Sequence, residues 1–274
     1  MTRPATLGAV AYDAKVVTIW EGFRRWLRQH DLEFDFVLYS HYERQVEDLV
    51  EGRIDVAWNS PLAWVRTRRM APGAQPLVMR DTDCDLTSVV VVRADSTVTD
   101  LAGLANRKVA VGAVDSPQAT LLPLALIGEV PVQVRRFEVG VGLHGDHIGG
   151  ERDAARALAA GEVDAACMID ASHLLFATEG TLPAGTTRIV ARTDPFDHCN
   201  MTVTGSPSPD LDRFASLLLE MDYADPRVRP LLDLEGLTRW VPGRTSGYKQ
   251  LEAAVDRFGF YDRRGRVTAD DYQP

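Results

Sequence analysis

Short apolar runs of strand character alternate with stretches of helical periodicity along most of the chain, and this alternation restricts the fold more than any other feature. Residues 7–12, 34–39, 54–58 and 76–79 read as strands. Between them, 16–29 and 42–50 carry apolar residues at helical spacing, and Pro61 opens a third helix ending near residue 70. Proline suits the first helical position because its missing N–H would have no helical partner there in any case. A second set follows, with strands at 88–92, 108–113, 130–137 and 163–168 and helices at 99–104, 117–127 and 152–160. After short strands at 189–191 and 201–204 the tail turns helical, at 210–221, 227–234 and 248–258. Strand–helix alternation of this kind predicts parallel βαβ units and an α/β fold.

The 274 residues fit one large domain or two lobes of about 100–150 residues each. No long linker or low-complexity stretch separates the two sets, so the lobes are expected to be joined by strands. Three cysteines (Cys84, Cys167, Cys199) are an odd number without paired spacing, which argues against a disulfide framework. Thirty basic against 39 acidic residues give a net charge of −9. Phosphate neutralisation wants a basic face, so no nucleic-acid partner is expected, while a local pocket for a small anion remains compatible. No apolar run approaches the ~20 residues of a transmembrane helix. The first strand starts a few residues after Met1, without the basic start, apolar h-region and cleavage site of a secretory leader. The sequence as it stands therefore predicts a cytoplasmic protein, or an extracytoplasmic one if a leader has been removed.

Two segments echo each other. Gly52-Arg53-Ile54-Asp55-Val56-Ala57-Trp58 and Gly161-Glu162-Val163-Asp164-Ala165-Ala166-Cys167 share the pattern Gly-x-apolar-Asp-apolar-Ala-x, each after a helix and at the start of a strand. This is either an ordinary αβ turn, with Gly closing the helix and Asp capping, or one unit occurring in two similar lobes. The stretch from Gly52 through Trp58-Asn59-Ser60-Pro61 to Trp64 resembles the first-lobe signature of phosphate/phosphite/phosphonate-binding proteins of ABC transporters. Asp100-Leu-Ala-Gly-Leu-Ala-Asn-Arg-Lys-Val-Ala-Val-Gly-Ala-Val-Asp-Ser116 is similar to their second-lobe entry and ligand loop, and 161–166 and Tyr248-Lys249-Gln250-Leu251 continue the likeness in order. The resemblance covers nearly the whole chain. It implies a type II periplasmic-binding-protein fold: two α/β lobes, two crossing segments and a ligand cleft between them. The lobes would be 1–85 plus 200–274, and 86–199.

Ligands of open α/β sheets bind beyond the carboxyl ends of strands, often at helix N-termini. Four segments fit that description. Tyr12-Asp13 follows the first strand. Trp58, Asn59 and Ser60 precede the Pro61 helix, where amide, hydroxyl and backbone N–H groups could cradle an anion or simply cap the helix. Asp115-Ser116-Pro117-Gln118 lies at a second strand-to-helix turn. The resemblance implies oxyanion-contacting hydroxyls at this turn, yet Pro117 and Gln118 replace hydroxyl donors, which favours some polar ligand over phosphonate itself. Leu143-His144-Gly145-Asp146-His147 offers ligand contacts from His144 or Asp146. Its imidazoles and carboxylate suit Zn or Fe in principle, but the loop has no defined scaffold, and neither a metal nor a cofactor is expected.

The most reactive-looking run is Asp194-Pro195-Phe196-Asp197-His198-Cys199-Asn200, which the resemblance puts in the returning crossing segment. A thiol beside an imidazole can act as a nucleophile. Neighbours on a strand point to opposite faces, so a base for Cys199 is expected from His144 or His147 rather than His198, which would face the ligand. Cys199 is otherwise a buried structural residue, as Cys167 is expected to be. Arg80 could take an anion bidentately or pair with Asp81 or Asp83. Two function classes follow. One is a binding protein that closes its lobes on a small anion (an oxoanion or carboxylate) and, if exported, signals an ABC permease. The alternative is a cytoplasmic enzyme using Cys199, His144 and Asp146 for nucleophilic or acid–base chemistry. A cytoplasmic ligand sensor is a third use of the same fold.

Overall fold

In the first lobe, β1 (Ala5–Val10), α1 (Lys15–Arg28), β2 (Phe34–Tyr39), α2 (Tyr42–Val50), β3 (Val56–Asn59) and α3 (Pro61–Met70) alternate as expected, followed by β4 (Ala74–Pro76) and β5 (Val78–Arg80). The structure, a computed structural model, describes residues 4–272 apart from 139, 142, 143 and 146, and of 140, 141, 144, 145 and 147 the backbone alone. The second lobe runs through β6 (Ser88–Arg93), β7 (Lys108–Val111), α4 (Leu122–Ile127), β8 (Gln133–Arg136), the short ladder of β9 (Gly140–Val141) with β10 (His144–Gly145), α5 (His147–Ala159), β11 (Ala165–Ile169), α6 (Asp170–Glu179) and β12 (Thr187–Arg192). The chain then returns through β13 (Asn200–Thr204), α7 (Pro209–Leu219), α8 (Arg229–Glu235), β14 (Trp240–Pro242) and α9 (Lys249–Phe258).

Two five-stranded sheets result, ordered β2-β1-β3-β13-β4 and β12-β6-β11-β7-β8. Each has a parallel centre, β2-β1-β3 in one and β11-β7-β8 in the other, extended by antiparallel strands on one side. The sheets are therefore mixed rather than purely parallel. The echo is structural. Gly52 (φ +72°) and Gly161 (φ +73°) both leave their helices in the left-handed region that glycine enters without strain. The Asp three residues later then clasps the start of a neighbouring strand. Asp55 accepts the Thr6 N–H on its carboxylate while its own N–H donates to the Thr6 carbonyl, both at 2.9 Å. Asp164 does the same with Lys108, at 2.9 and 2.8 Å. One unit thus occurs in both lobes.

Several elements differ from expectation, among them the helix expected at 99–104, of which only the 3₁₀ turn Ala102–Leu104 forms. Residues 76–79 are not one strand: β4 pairs with β13, and β5 pairs with β14 in a separate ribbon. Between them, the Leu77 N–H donates to Met201 and its carbonyl accepts from Gly243. The helix expected at 117–127 opens with a π-type turn, Pro117–Leu121, before α4. Pro123 has no N–H to donate to the Ala119 carbonyl four residues back, and the Gly112 N–H takes that carbonyl instead, at 3.2 Å. Finally, α6 and β14 have no counterpart among the expected elements.

The two crossing segments run side by side, and Leu86 and Phe196 exchange both backbone hydrogen bonds at 2.8 Å. Behind them Val114, Leu121 and Leu122 of the second lobe share one buried apolar cluster with Trp64, Tyr248 and Leu251 of the first. Among the described residues no helix is long and apolar enough to cross a membrane.

Candidate functional site

The carboxyl ends of β1, β3, β7 and β11 converge on a cavity of about 650 Å³ lined by residues of both lobes. From the first lobe come Tyr12, Asp13, Lys15, Tyr42, Glu43, Trp58, Ser60, Arg80, Glu235, Tyr261 and Tyr272; from the second come Asp115, Gln118, Ile148, Glu151, Ser172 and Leu175. His198 and Cys199 reach it from the returning crossing segment. The sequence-predicted residues Tyr12, Trp58, Ser60, Arg80, Asp115, Gln118 and His198 therefore line one cavity.

Two expected ligand contacts, Asn59 and Ser116, lie behind the cavity lining. Asn59 is fully buried. Its amide nitrogen donates to Thr67 (3.2 Å) and Thr202 (2.9 Å), and its oxygen accepts from Gln45 (2.9 Å). The residue ties α2, α3 and β13 together instead of facing solute. Ser116 is also fully buried, its Oγ accepting the Ala119 N–H as an N-cap, while the Thr120 hydroxyl donates to the Ala113 carbonyl. The Ser116 and Thr120 hydroxyls are thus spent inside the turn, which presents Asp115 and Gln118 to the cavity. Asp146 lies outside the described residues, as do the side chains of His144 and His147.

Two charge groups occupy the walls. In the first, Arg80 forks onto Asp83 (Nε–Oδ2 2.6 Å, Nη2–Oδ1 2.9 Å), donates to the Glu235 carbonyl at 2.8 Å, and lies 5.2 Å from the Trp58 ring centroid. Burial opposes the charge on Asp83, but Arg80 and the His198 ring outweigh it and hold the carboxyl at about 2. Glu235 receives less compensation. Burial pushes its carboxyl up to about 7, with Arg80 pulling against this and Asp83 adding to it. Arg80 is therefore not a bare fork awaiting an anion; its donors are already engaged. Burial, with Glu235 next in weight, pushes the Tyr12 phenol up to about 12, so it stays a hydrogen-bond donor.

The second group is rich in acceptors. Tyr272 donates to Glu43 Oε1 at 3.0 Å, but Glu43 Oε2 is buried without a hydrogen-bond partner. Burial raises the Glu43 carboxyl, and Asp115 across the cavity raises it further. Gln118 Oε1 is also buried and unpartnered. An unpaired buried acceptor is costly, so these two atoms call for donors from whatever fills the space. Tyr42 feels both groups, its phenol raised by burial and by Cys199 and Asp115, with Arg80 acting the other way. Glu43, Glu235, Tyr261 and Tyr272 escaped sequence reasoning because a helix face, a helix end and a C-terminal loop bring them in from distant places.

The expected separation of His198 and Cys199 does not occur. Both precede β13 outside regular secondary structure, so strand alternation does not apply, and His198 Nδ1 lies 3.1 Å from Cys199 Sγ. Burial and the Asp83 carboxylate nevertheless push the thiol well above its ordinary range, with Arg80 opposing. This environment works against the thiolate that nucleophilic chemistry requires.

Two α/β lobes with two crossing segments and a cavity between facing strand ends define the two-lobed periplasmic-binding-protein class. Within it, residues 9–248 match the family model described as ABC transporter, phosphonate, periplasmic substrate-binding protein. The chain belongs to this family. Among solved structures it is similar to PhnD1 from Prochlorococcus marinus (MIT 9301) in complex with methylphosphonate, at 17% identity and a TM-score of 0.68, covering 94% of this chain and 98% of that one. XAC2383 from Xanthomonas citri bound to ATP gives 18% identity and a TM-score of 0.70, with 93% and 98% covered. The aliphatic sulphonate binding protein SsuA from Escherichia coli gives 15% and 0.55, with 100% and 93% covered. At these identities the structures bear on fold alone. No curated protein matches the sequence.

Proposed function

We propose that the protein is the solute-capturing component of an ABC transporter, and that its two lobes close on a small solute carrying both an anionic group and hydrogen-bond donors. The observation that carries this is the pairing of the unpartnered acceptors Glu43 Oε2 and Gln118 Oε1, one from each lobe, on one cavity. Family membership supports the anionic group. Lys15 and the N-terminus of α3, whose first turn from Pro61 to Ala63 borders the cavity, are the positive features available to it, since Arg80 is already engaged by Asp83 and the Glu235 carbonyl. The volume lies within the range of about 300–1,000 Å³ common to small-molecule sites. It leaves room for a solute larger than the methylphosphonate in the Prochlorococcus relative.

The moving bodies in this proposal are residues 1–85 with 200–274, and 86–199, hinged where Leu86 and Phe196 pair. Closure would be the signal to the permease. His144 and Asp146 complete the proposed contacts from the second lobe, with Tyr12, Trp58, Ser60, Asp115 and His198 as the remaining lining contacts. Titration calorimetry tests the proposal with an aminoalkyl phosphonate, an aminoalkyl sulfonate and their amine-free counterparts. At least one amine-bearing acid should bind at least tenfold more tightly than its amine-free analogue. Equal affinity for the two kinds, or heat from none of the four, would refute it.

A further inference from the structure

The crossing segments bring three side chains of different chemistry to one point beneath the cavity. His198 Nδ1 lies 3.1 Å from Cys199 Sγ and 3.4 Å from Asp83 Oδ1, and one ligand atom from each residue lies within 4.8 Å of the other two. We infer that Asp83, His198 and Cys199 form a binding site for a divalent transition metal of the zinc type, with a further coordination position open to the cavity. Of the three, only His198 also figures as a lining contact in the proposed solute capture, which requires no metal.

The spacing fits one ion. Tetrahedral zinc with ordinary Zn–N, Zn–O and Zn–S lengths separates nitrogen from oxygen by about 3.4 Å and nitrogen from sulfur by about 3.6 Å. The observed 3.4 and 3.1 Å need an adjustment of about half an ångström at the sulfur. The contacts themselves point the same way. The same ring nitrogen faces a thiol and a carboxylate together, so a cation placed between the three would be ligated by each of them. The frame is fixed from outside: the His198 N–H donates to the Asp83 carbonyl at 2.8 Å, and Tyr248 donates its hydroxyl to the His198 carbonyl at 2.8 Å. Arg80 holds both Asp83 oxygens, the kind of outer hydrogen bonding that orients a ligating carboxylate. Asp83 and Cys199 are buried, while His198 and Cys199 border the cavity, which supplies the entry path.

The donor set selects the metal. Thiolate and imidazole suit zinc, cobalt(II), nickel or copper, whereas calcium and magnesium prefer oxygen ligands. Binding converts the Cys199 thiol to a metal-bound thiolate and releases its proton to solvent, so affinity rises with pH. The test uses the full chain, stripped of metal and titrated with Co²⁺ and then Zn²⁺. One equivalent of Co²⁺ should give a thiolate-to-cobalt charge-transfer band that Zn²⁺ abolishes. His198→Gln and Cys199→Ser should each lose the band and at least tenfold in affinity, while Cys84→Ser keeps both; circular dichroism checks that every variant is folded. Absence of the band in the wild type, a band that survives in folded Cys199→Ser, or affinity unchanged in folded His198→Gln would overturn the site.

Discussion

Glu235 and Arg80 show how one buried network sets both stability and pH response. The carboxyl of Glu235 is raised to about 7 in the folded chain, so folding favours its protonated form. Its stabilising contribution is complete below its ordinary range near pH 4.5 and is lost as the pH climbs towards 7. The swing is on the order of 3 kcal/mol. Glu235→Gln should flatten the decline in urea-unfolding free energy between pH 5 and pH 7.5, and a decline as steep as the wild type's would contradict the assignment. Asp83 has the opposite sign, because its carboxyl is held near 2: its contribution is present at neutral pH and is lost only as the pH falls through that value. Arg80 holds both acids. Removing it by Arg80→Met strands two buried carboxyl groups and should cost about 3–5 kcal/mol in unfolding free energy.

The repeated Gly-x-apolar-Asp unit is the element most legible in the sequence, and it is fixed by local chemistry alone. A left-handed glycine ends the helix, and a carboxylate clasps a backbone N–H at the start of a neighbouring strand. Gly52→Ala and Gly161→Ala should each cost about 1–2 kcal/mol, because an alanine is strained at φ near +72°. Matched losses in the two lobes, read from denaturant melts, are the expected outcome. Most β-strands and the longer helices were equally legible, since α1 keeps Val16, Ile19, Trp20, Phe23 and Leu27 on one buried face. The misses have physical causes. In α6 the buried residues are Ser172 and Phe176, while Leu174 is 68% and Leu175 45% exposed, so its apolar pattern does not mark a core-facing helix. The Leu77 break depends on β13 and β14, strands more than 100 residues away. At the site, residue type marked Tyr12, Trp58, Ser60, Asp115 and Gln118 as belonging to strand ends. It could not show that Asn59 and Ser116 spend their polar atoms inside the protein.

Across the whole molecule, the apolar cluster shared by Trp64, Tyr248, Val114, Leu121 and Leu122 joins the lobes behind the cavity. The C-terminal helix α9 adds to this seam, with Arg257 reaching the Ala125 carbonyl and Glu129 of the second lobe. Two lobes with a common buried core should unfold together, so calorimetry is expected to show one transition with equal van't Hoff and calorimetric enthalpies. The same seam makes the cavity side the natural place for opening. In the proposed function a solute captured there is held from both walls, by Glu43 of one lobe and Gln118 of the other. Calorimetric affinity for the best-binding aminoalkyl acid, measured in wild type, Glu43→Gln and Gln118→Ala, tests this directly. The account predicts that each substitution weakens binding at least tenfold while leaving the melting temperature of the free protein within a few degrees. Undiminished affinity in either variant would contradict capture between the lobes.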